Sequence, residues 1–521
     1  MGFSGLFWGP IRGPFLLAAR WKRISLQLEI LKQVWSTLDP EHQSLQGQVL
    51  QILNQKLEVS VLQISRIQEK HDRSSARRIP RLNRWKYAFV VKGSLDSAVH
   101  ELNTWQAIFD PSWYLIIRVA NPVIDAELAK QPAQTTAVTV AKGLRQSLAV
   151  EPSSNERIFL PASGLTKFKS SKVPLSVVET LSQPDSETLI LDHTDCLPGA
   201  DLTVLTKDIR TLARRLRNTE PTNFCLLKCF GVVRNQSEGT GRTESFDFVF
   251  KIPKTMSNPR SLRDHLCSKE SYSLSDVFAV AKQLAISVSY VHTMGFVHKN
   301  IRPETILVFD NGVSQLGSLA LVGFRSVRMA DGNSLRQGDD AWDQNLYRHP
   351  DRQGVFPEAY YTMQHDIYSL GVCMLEIGLW RSFIAYDKRG EICLAESKEA
   401  LDIGKTKSVD GFVRLATEVL PRRMGDKFVR VVVNCLTCID ETNCDFGDNN
   451  DFQDEDGVLI GVKYIEKVWL SRPGIIHLLT GLCVRFFSSL TQYHYDTVSI
   501  QKTALARRSQ CSLCSRRSEK W

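Results

Sequence analysis

One polar loop carries the side chains best suited to chemistry, and it lies between two short apolar segments, Phe296-Val297 and Ile306-Leu307-Val308. The loop contains an imidazole, a carboxamide, a guanidinium group and a hydroxyl group, at His298, Asn300, Arg302 and Thr305. Side chains that remove a proton from a substrate hydroxyl are most often imidazoles or carboxylates. The carboxamide of Asn300 cannot take up such a proton, and a threonine hydroxyl is a weak ligand for Mg²⁺.

The spacing of this loop resembles the catalytic loop of protein kinases, whose pattern is His-Arg-Asp-Leu-Lys-Pro-Glu-Asn. The residues that agree with the pattern are His298, Ile301, Pro303, Glu304 and the pair Ile306-Leu307. The resemblance places Asn300 where the family has its proton-accepting aspartate and Thr305 where it has a magnesium-binding asparagine. Arg302 takes the place of a neighbouring lysine and keeps its charge but not its shape.

A second motif downstream departs from the same family in the same way. Where protein kinases have Asp-Phe-Gly, this chain has Gly323-Phe324-Arg325. Gly323 offers no side-chain oxygen to Mg²⁺, and Arg325 adds a cation beside a place that would hold one. With the base and both metal ligands replaced, the resemblance implies a kinase fold without phosphoryl transfer, in which no residue is catalytic. ATP binding would then lack the usual magnesium ligands, and no other cofactor is implied.

The residues that shape the fold of a kinase are better kept than those that do its chemistry. Asp366-Ile-Tyr-Ser-Leu-Gly-Val372 resembles the Asp-x-Trp-Ser-Leu-Gly segment and includes Gly371. The resemblance implies that Asp366 accepts hydrogen bonds from the backbone of the catalytic loop. Tyr347-Arg-His-Pro350-Asp351 resembles the Ala-Pro-Glu anchor.

Upstream, short apolar runs predict a small β-rich lobe with one helix. Ile158-Phe159-Leu160 and Thr188 to Leu191 are predicted strands, and Thr206 to Leu216 has the pattern of an amphipathic helix that begins near Thr206 or Asp208. Two further predicted strands are Leu226 to Val233 and Phe246 to Phe250. The chain lacks a glycine-rich phosphate loop, and Asp192-His193 stands where a kinase would have its lysine.

Four amphipathic segments in the first part of the chain predict an all-α helical bundle over residues 1–130. One predicted stripe is Leu28, Leu31, Trp35 and Leu38. This region resembles the HeLo-type (prion-inhibition and propagation) domains of fungal incompatibility and cell-death proteins. The resemblance is carried by Arg84-Trp85-Lys86-Tyr87-Ala88, Phe109-Asp-Pro-Ser-Trp113 and Ile124-Asp125.

The predicted architecture is therefore multidomain, an all-α bundle followed by an α+β bilobal kinase-like fold. A linker over 131–155 leads into the kinase-like domain over 156–468, whose small lobe covers 156–255 and whose large lobe covers 256–468. Residues 469–521 are rich in serine, arginine and cysteine near their end, and we expect a poorly ordered tail.

Composition narrows the class of protein and its surroundings. The 521 residues have a net charge of +9 and are 43% hydrophobic, which is ordinary for a soluble protein and gives no reason to expect nucleic acid as a partner. The 12 cysteines are scattered as in proteins of a reducing compartment, and the pairs Cys435/Cys438 and Cys511/Cys514 lack histidines at zinc spacing, so no metal site is expected. No apolar run reaches the roughly 18 to 20 residues of a membrane span, and a signal peptide is not expected.

These observations predict a cytoplasmic signalling or adaptor pseudokinase whose kinase fold controls the helical bundle. The same domain order is found in the animal mixed-lineage-kinase-like necroptosis executioner, so the resemblance implies a role in fungal non-self recognition or regulated cell death. Protein partners are expected, and the basic stretch Arg66 to Lys86 favours an anionic surface such as the inner face of the plasma membrane. Two alternatives stay open: an atypical active kinase that binds ATP and phosphorylates Ser or Thr, and an inert scaffold.

Overall fold

The computed structural model describes residues 24–38, 122–130, 157–440 with short gaps, residue 443, and scattered positions in 40–54, 109–113 and 141–145. The gaps are 184–186, 197–200, 238, 326–327, 330–337, 398 and 401–408. The chain divides into two compact units, and the second contains the described residues from 113 onwards together with 36–38. Outside the described residues lie the basic stretch 66–86, the predicted tail, the Cys511/Cys514 pair and all of the predicted linker except residues 141, 142 and 145.

The described N-terminal residues are largely helical, over 24–34 and in helix α1, Pro122–Lys130. The predicted apolar stripe of the first helix is only partly confirmed. Leu31 and Leu38 are buried, but Leu28 and Trp35 are only half-buried. The buried residues of this segment are Ile24, Gln27, Ile30, Leu31, Val34 and Leu38. A bundle over the whole of 1–130 remains a prediction.

A six-stranded sheet with one long helix forms the small lobe. Its strands are β1 Phe159–Leu160, β2 Lys169–Lys172, β3 Val178–Ser182, β4 Leu189–Asp195, β5 Lys228–Gln236 and β6 Thr243–Lys251. Their order is β1-β5-β6-β4-β3-β2, and only the β1–β5 pair is parallel. Between β4 and β5 lie helices α2, Leu202–Arg217, and α3, Pro221–Phe224. The small-lobe strands predicted from the sequence are thus present.

Local sequence explains both the sheet and helix α2. Phe246, Phe248 and Phe250 alternate along β6 and are fully buried, as expected for a strand with one face in the core. Helix α2 begins earlier than predicted, at Leu202, because the side chain of Asp201 caps the backbone N–H groups of Thr203 and Val204. The predicted start at Thr206 or Asp208 was therefore wrong by about one turn.

The large lobe is mainly helical. Its helices are α4 Leu262–Cys267, α5 Leu274–Thr293, α6 Trp342–Asn345, α7 Met363–Leu379, α8 Val409–Val419, α9 Pro421–Met424 and α10 Asp426–Leu436. Its short strands are β7 Ser257–Ser261, β8 Phe296–Val297, β9 Ile306–Asp310, β10 Ser318–Leu321, β11 Arg328–Met329, β12 Ile384–Tyr386 and β13 Ile392–Leu394.

Two central helices position the catalytic-loop region. Every residue of α7 is buried, and a side chain at Gly371 would meet Cys435 Cβ of α10 at 2.8 Å, so only glycine allows this approach. Helix α5 ends at Thr293, and Gly295, at φ +77°, turns the chain into β8 as predicted. Among the described helices, α5 alone has the length and composition of a membrane span, but most of its apolar stretch is buried within the fold.

Candidate functional site: the degenerate catalytic loop and its cover

Asp366 lies at the centre of the hydrogen bonds that hold the catalytic loop. Its carboxylate accepts hydrogen bonds from the backbone N–H groups of His298 at 2.7 Å and Lys299 at 2.9 Å. The hydroxyl of Tyr361 donates to it at 2.7 Å, and His292 Nε2 lies 3.1 Å away. Burial opposes ionisation, yet the hydrogen bond with His292 and the nearby imidazoles hold the pKa of Asp366 below its usual value. The geometry is the one that the resemblance implied for this residue.

His298 serves the packing of the loop rather than proton transfer. Burial lowers the pKa of His298 to about 4, so the ring is neutral at physiological pH. Its Nε2 donates to the carbonyl of Val322 at 3.1 Å, and its Nδ1 accepts the N–H of Asn300 at 3.3 Å. The ring also packs against Phe324, with centroids 4.9 Å apart.

The side chains of Asn300 and Arg302 are hydrogen-bonded to each other. The Asn300 amide donates to the carbonyl of Gly323 at 3.1 Å and accepts from Arg302 Nε at 3.1 Å. The same guanidinium lies 3.6 Å from Glu304 and 3.8 Å from Asp343 of α6. Both partly buried side chains are thus engaged in contacts within the protein.

Thr305 and Gly323 fit together in a way that closes both metal-ligand positions. The Thr305 hydroxyl donates to the carbonyls of Asn300 and Arg302, at 2.8 and 2.9 Å, and the residue is fully buried. A side chain at Gly323 would meet the Thr305 methyl carbon at 2.4 Å, and the backbone there has φ +83°. The space in which a metal-binding carboxylate would extend is therefore filled by this methyl group.

Asp192 on β4 faces these loops from the small lobe and reverses the charge expected there. It belongs to the pair Asp192-His193, where the kinase resemblance led us to expect a phosphate-binding lysine. One of its carboxylate oxygens accepts the backbone N–H groups of Gly323 at 2.8 Å and Phe324 at 3.0 Å. Burial raises the pKa of Asp192 to about 6, although these two hydrogen bonds favour the ionised form. Asp192 thus places a carboxylate, with two backbone N–H groups as its donors, against the Gly323-Phe324 segment.

We expect Asp192→Asn to stabilise the protein more at pH 8 than at pH 4.5. The folded protein binds the Asp192 proton more tightly than the unfolded chain, so stability falls as pH rises from about 4 to about 6. The amide keeps an oxygen for both N–H groups but cannot ionise, so the gain at pH 8 should exceed that at pH 4.5 by about 1–3 kcal/mol. Urea unfolding at the two pH values measures it, with Asp340→Asn at an exposed position as control. An equal gain at both pH values would contradict it.

The hairpin turn between β2 and β3 covers the catalytic loop directly. In protein kinases a glycine-rich loop lies over the phosphates. Here Ser176 Oγ and the N–H of Val177 both donate to the carbonyl of Glu304, at 2.8 and 3.3 Å, and Ser261 Oγ donates to the carbonyl of Pro174 at 2.8 Å. Leu175 takes the left-handed conformation, with φ +48°, which is uncommon for leucine. The turn is therefore in direct hydrogen-bond contact with the loop at Glu304.

Phe324 and Arg325 complete the cover. Phe324 is buried between the lobes, with its ring 6.3 and 6.0 Å from those of Phe248 and Phe250 on β6. Arg325 pairs with Asp195 at 2.8 Å, and both side chains are about half-exposed. The cation that the sequence placed beside a metal position is thus paired with a carboxylate of β4.

A buried ion network behind the loop joins four parts of the large lobe. The fully buried guanidinium of Arg263 in α4 bonds Glu304 of the loop at 2.9 Å, Glu376 of α7 at 2.9 Å, and the Tyr347 hydroxyl. Burial raises the pKa of Glu376, whereas Arg263 and Arg302 outweigh burial and hold the pKa of Glu304 below its usual value. Sequence reasoning missed this network, because a charged residue in the first turn of a short helix is usually solvated.

The anchor segment stands next to this network. Tyr347 donates to Glu376 at 2.7 Å, and Pro350 begins a short 3₁₀ turn, Pro350–Arg352, in which the N–H of Asp351 donates to His349 Nδ1 at 3.3 Å. The pair Cys435 and Cys438 is buried, with the pKa of both thiols raised by burial, and the described residues contain no cluster able to hold a metal ion.

Comparison with known proteins finds similarity to protein kinases. Residues 226–382 match the family of protein tyrosine and serine/threonine kinases. A probable cell division protein kinase of Encephalitozoon cuniculi (strain GB-M1) is 31% identical over 134 residues, 26% of this chain and 39% of that protein. A second such kinase of the same organism is 28% identical over 163 residues, 31% of this chain and 55% of its own length. The MAP kinase kinase kinase mkh1 of Schizosaccharomyces pombe is 27% identical over 99 residues, 19% of this chain and 8% of its own length.

The matches therefore span only 39% and 55% of the two Encephalitozoon cuniculi proteins. Together with the mixed sheet, the helical lobe and the position of the catalytic-loop motif, they lead to one conclusion. The chain contains a protein kinase-like domain whose homologues are protein kinases.

Proposed function

We propose that this protein is a signalling adaptor whose kinase-like domain transfers no phosphate and instead controls an N-terminal helical bundle. The observation that carries the first half is the direct bonding of the β2–β3 turn to the catalytic loop, through Ser176 and Val177. The reversed charge at Asp192 and the closed space at Gly323 support it independently. A nucleotide would have to displace the turn and then meet an anion without its usual metal ligands.

The alternative of an atypical active kinase has one argument in its favour, because the similar proteins carry kinase names. Phosphoryl transfer depends mostly on positioning and charge neutralisation, so loss of a base alone would not abolish it. The present site lacks both means of neutralising phosphate charge, the lysine and the metal ligands. An inert scaffold shares the closed site and differs from the adaptor only in lacking a controlled partner.

The second half of the proposal concerns the bundle and its surroundings. The helical pattern and the basic stretch 66–86 suit association with an anionic surface, at the inner face of the plasma membrane, and contacts with protein partners. By resemblance to HeLo-type proteins, we propose non-self recognition or regulated cell death as the process. A cytoplasmic location follows from the same proposal.

We expect the full-length protein to incorporate no phosphate from labelled Mg·ATP, into itself or into a generic substrate. Its melting temperature should be unchanged by ATP with or without Mg²⁺, since a ligand that binds only the folded state would raise it. Ser176→Gly removes the hydrogen bond from the turn to Glu304 and tests whether the turn blocks the site. If the turn alone prevents ATP binding, ATP should raise the melting temperature of this variant slightly. Phosphate incorporation that disappears in Asn300→Ala would contradict the proposal.

A further inference from the structure

Strand β1 is an addition to the edge of the small-lobe sheet. It pairs with β5 over two residues only, Phe159 with Val232 and Leu160 with Val233, and in parallel orientation. The N–H of Val232 donates to the carbonyl of Ile158 at 2.9 Å. The remaining five strands form a continuous antiparallel sheet without it.

Side chains rather than backbone pairing hold this strand. Arg210 of α2 and Arg234 of β5 both stack on the ring of Phe159, at 5.3 and 5.1 Å from its centroid. Arg217 donates to the carbonyl of Arg157 at 2.9 Å. Each stacking contact with an exposed arginine contributes only about 0.5–1 kcal/mol. The arginine contacts are thus individually weak, and the apolar part of the attachment comes from the buried Ile158 and from Leu160, which packs against the core cluster that includes Val233 and Val249.

The place that receives the strand is nevertheless specific. Gly231 lacks a side chain where Leu160 packs: a Cβ there would meet Leu160 Cγ at 2.6 Å and the carbonyl oxygen of Ile158 at 2.8 Å. Ile158 itself is buried. We call the edge of β5 at Gly231 together with Arg210, Arg217 and Arg234 the strand seat.

Helix α2 connects the strand seat to the catalytic loop. Five residues after Arg210, the buried Arg215 bonds the carbonyl of Met294, and its guanidinium lies 5.2 Å from the ring centroid of Phe296 in β8. The same helix thus contacts the strand at one place and the start of the catalytic loop at another. A displacement of β1 would be transmitted to α2 by the arginines that it shares with the helix.

We propose that Arg157–Leu160 is a releasable latch: it occupies the strand seat in the closed protein and detaches as a unit, which frees the chain that precedes it. The functional role of the latch rests on the proposed function, because control of the bundle by the kinase-like domain requires a releasable connection along the chain. The occupant of the seat is this chain's own segment. Its short ladder and arginine contacts place it among the least stable parts of the sheet.

Amide hydrogen exchange of the full-length protein tests the latch. The Val232 amide, bonded to Ile158, should exchange at least tenfold faster than that of Val249 in the centre of the sheet, because it needs only local opening. Arg210→Ala should raise Val232 exchange several-fold and leave Val249 unchanged. Lys207→Ala, another exposed residue of α2, should change neither. Phe159→Ala serves as a second variant at the strand itself. Equal protection of the two amides, unaffected by Arg210→Ala, would overturn the latch.

A second measurement separates the latch from the proposed function. Full-length wild type and Phe159→Ala are sedimented with vesicles of phosphatidylcholine and phosphatidylserine at low salt. Increased binding by Phe159→Ala, with faster Val232 exchange, supports both proposals. Faster exchange without increased binding supports the latch and overturns the membrane role of the bundle. Phosphate transfer by the wild type would overturn the adaptor proposal and leave the exchange result standing.

Discussion

Replacing Arg263 with alanine should destabilise the protein by about 3–5 kcal/mol, the largest effect that we expect from a single substitution. The guanidinium is fully buried and bonds two carboxylates, Glu304 and Glu376, besides the hydroxyl of Ser382 at 2.5 Å. Its removal leaves the buried Glu376 without its counter-ion and leaves Glu304 with only the more distant Arg302, at 3.6 Å. Urea unfolding followed by circular dichroism measures the change.

The neighbouring Arg260 provides a matched control. It also pairs with two acids, Asp264 at 2.7 Å and Glu270 at 2.9 Å, but its side chain is one-third exposed. Exposed pairs of this kind contribute about 0.2–1 kcal/mol, so Arg260→Ala should be mild. Combining Arg263→Met with Glu304→Gln and Glu376→Gln should recover part of the loss, because no buried charge remains. If Arg260→Ala proved as damaging as Arg263→Ala, the network would not be the reason.

Asp366→Ala should destabilise the protein by about 3 kcal/mol or more, whereas Asn300→Ala should cost about 1 kcal/mol. Loss of the Asp366 carboxylate leaves the N–H groups of His298 and Lys299 and the Tyr361 hydroxyl without their acceptor, and each unsatisfied buried donor costs about 1–3 kcal/mol. Asn300 is only partly buried, and its partners can turn to water.

The comparison is made by urea unfolding of the two variants beside wild type. Asp366→Asn is an informative third variant, because its amide oxygen can accept one N–H group but its NH₂ group faces another donor. A larger loss in Asn300→Ala than in Asp366→Ala would mean that the loop is held differently from the arrangement described here.

The catalytic-loop region could be predicted from the sequence because motif spacing fixes it. Gly295 marks the end of a helix. Asp366 lies in a motif whose aspartate, by resemblance to kinases, accepts hydrogen bonds from the catalytic-loop backbone, as it does here. The small-lobe strands were also predictable, since Phe246, Phe248 and Phe250 alternate as in a half-buried strand. Asp192 was recognisable in the sequence as a substitution for lysine, though not as an acceptor for two backbone N–H groups.

Contacts between segments far apart in sequence could not be predicted in this way. Ser176 gives no sign in the sequence that it bonds a carbonyl 128 residues away, because the turn lacks the glycines that would mark a phosphate loop. Arg263 is buried only because Glu304, Tyr347 and Glu376 converge on it from three other segments. The strand seat likewise depends on Gly231. A glycine within a strand indicates that another group packs closely against it, but the sequence does not identify that group as Leu160.

The fit of Thr305 against Gly323 also limits the substitutions that could restore metal binding. Gly323→Asp alone would drive its Cβ to 2.4 Å from the Thr305 methyl carbon, in a backbone conformation that aspartate seldom adopts. Thr305→Asn alone would supply one ligand without the other and would break the hydroxyl bonds to Asn300 and Arg302. Each single step is harmful or useless, so regaining the two ligands requires both changes together. Random mutation with selection after each step would rarely find that route, so the inactive state that we propose would be hard to reverse by single mutations.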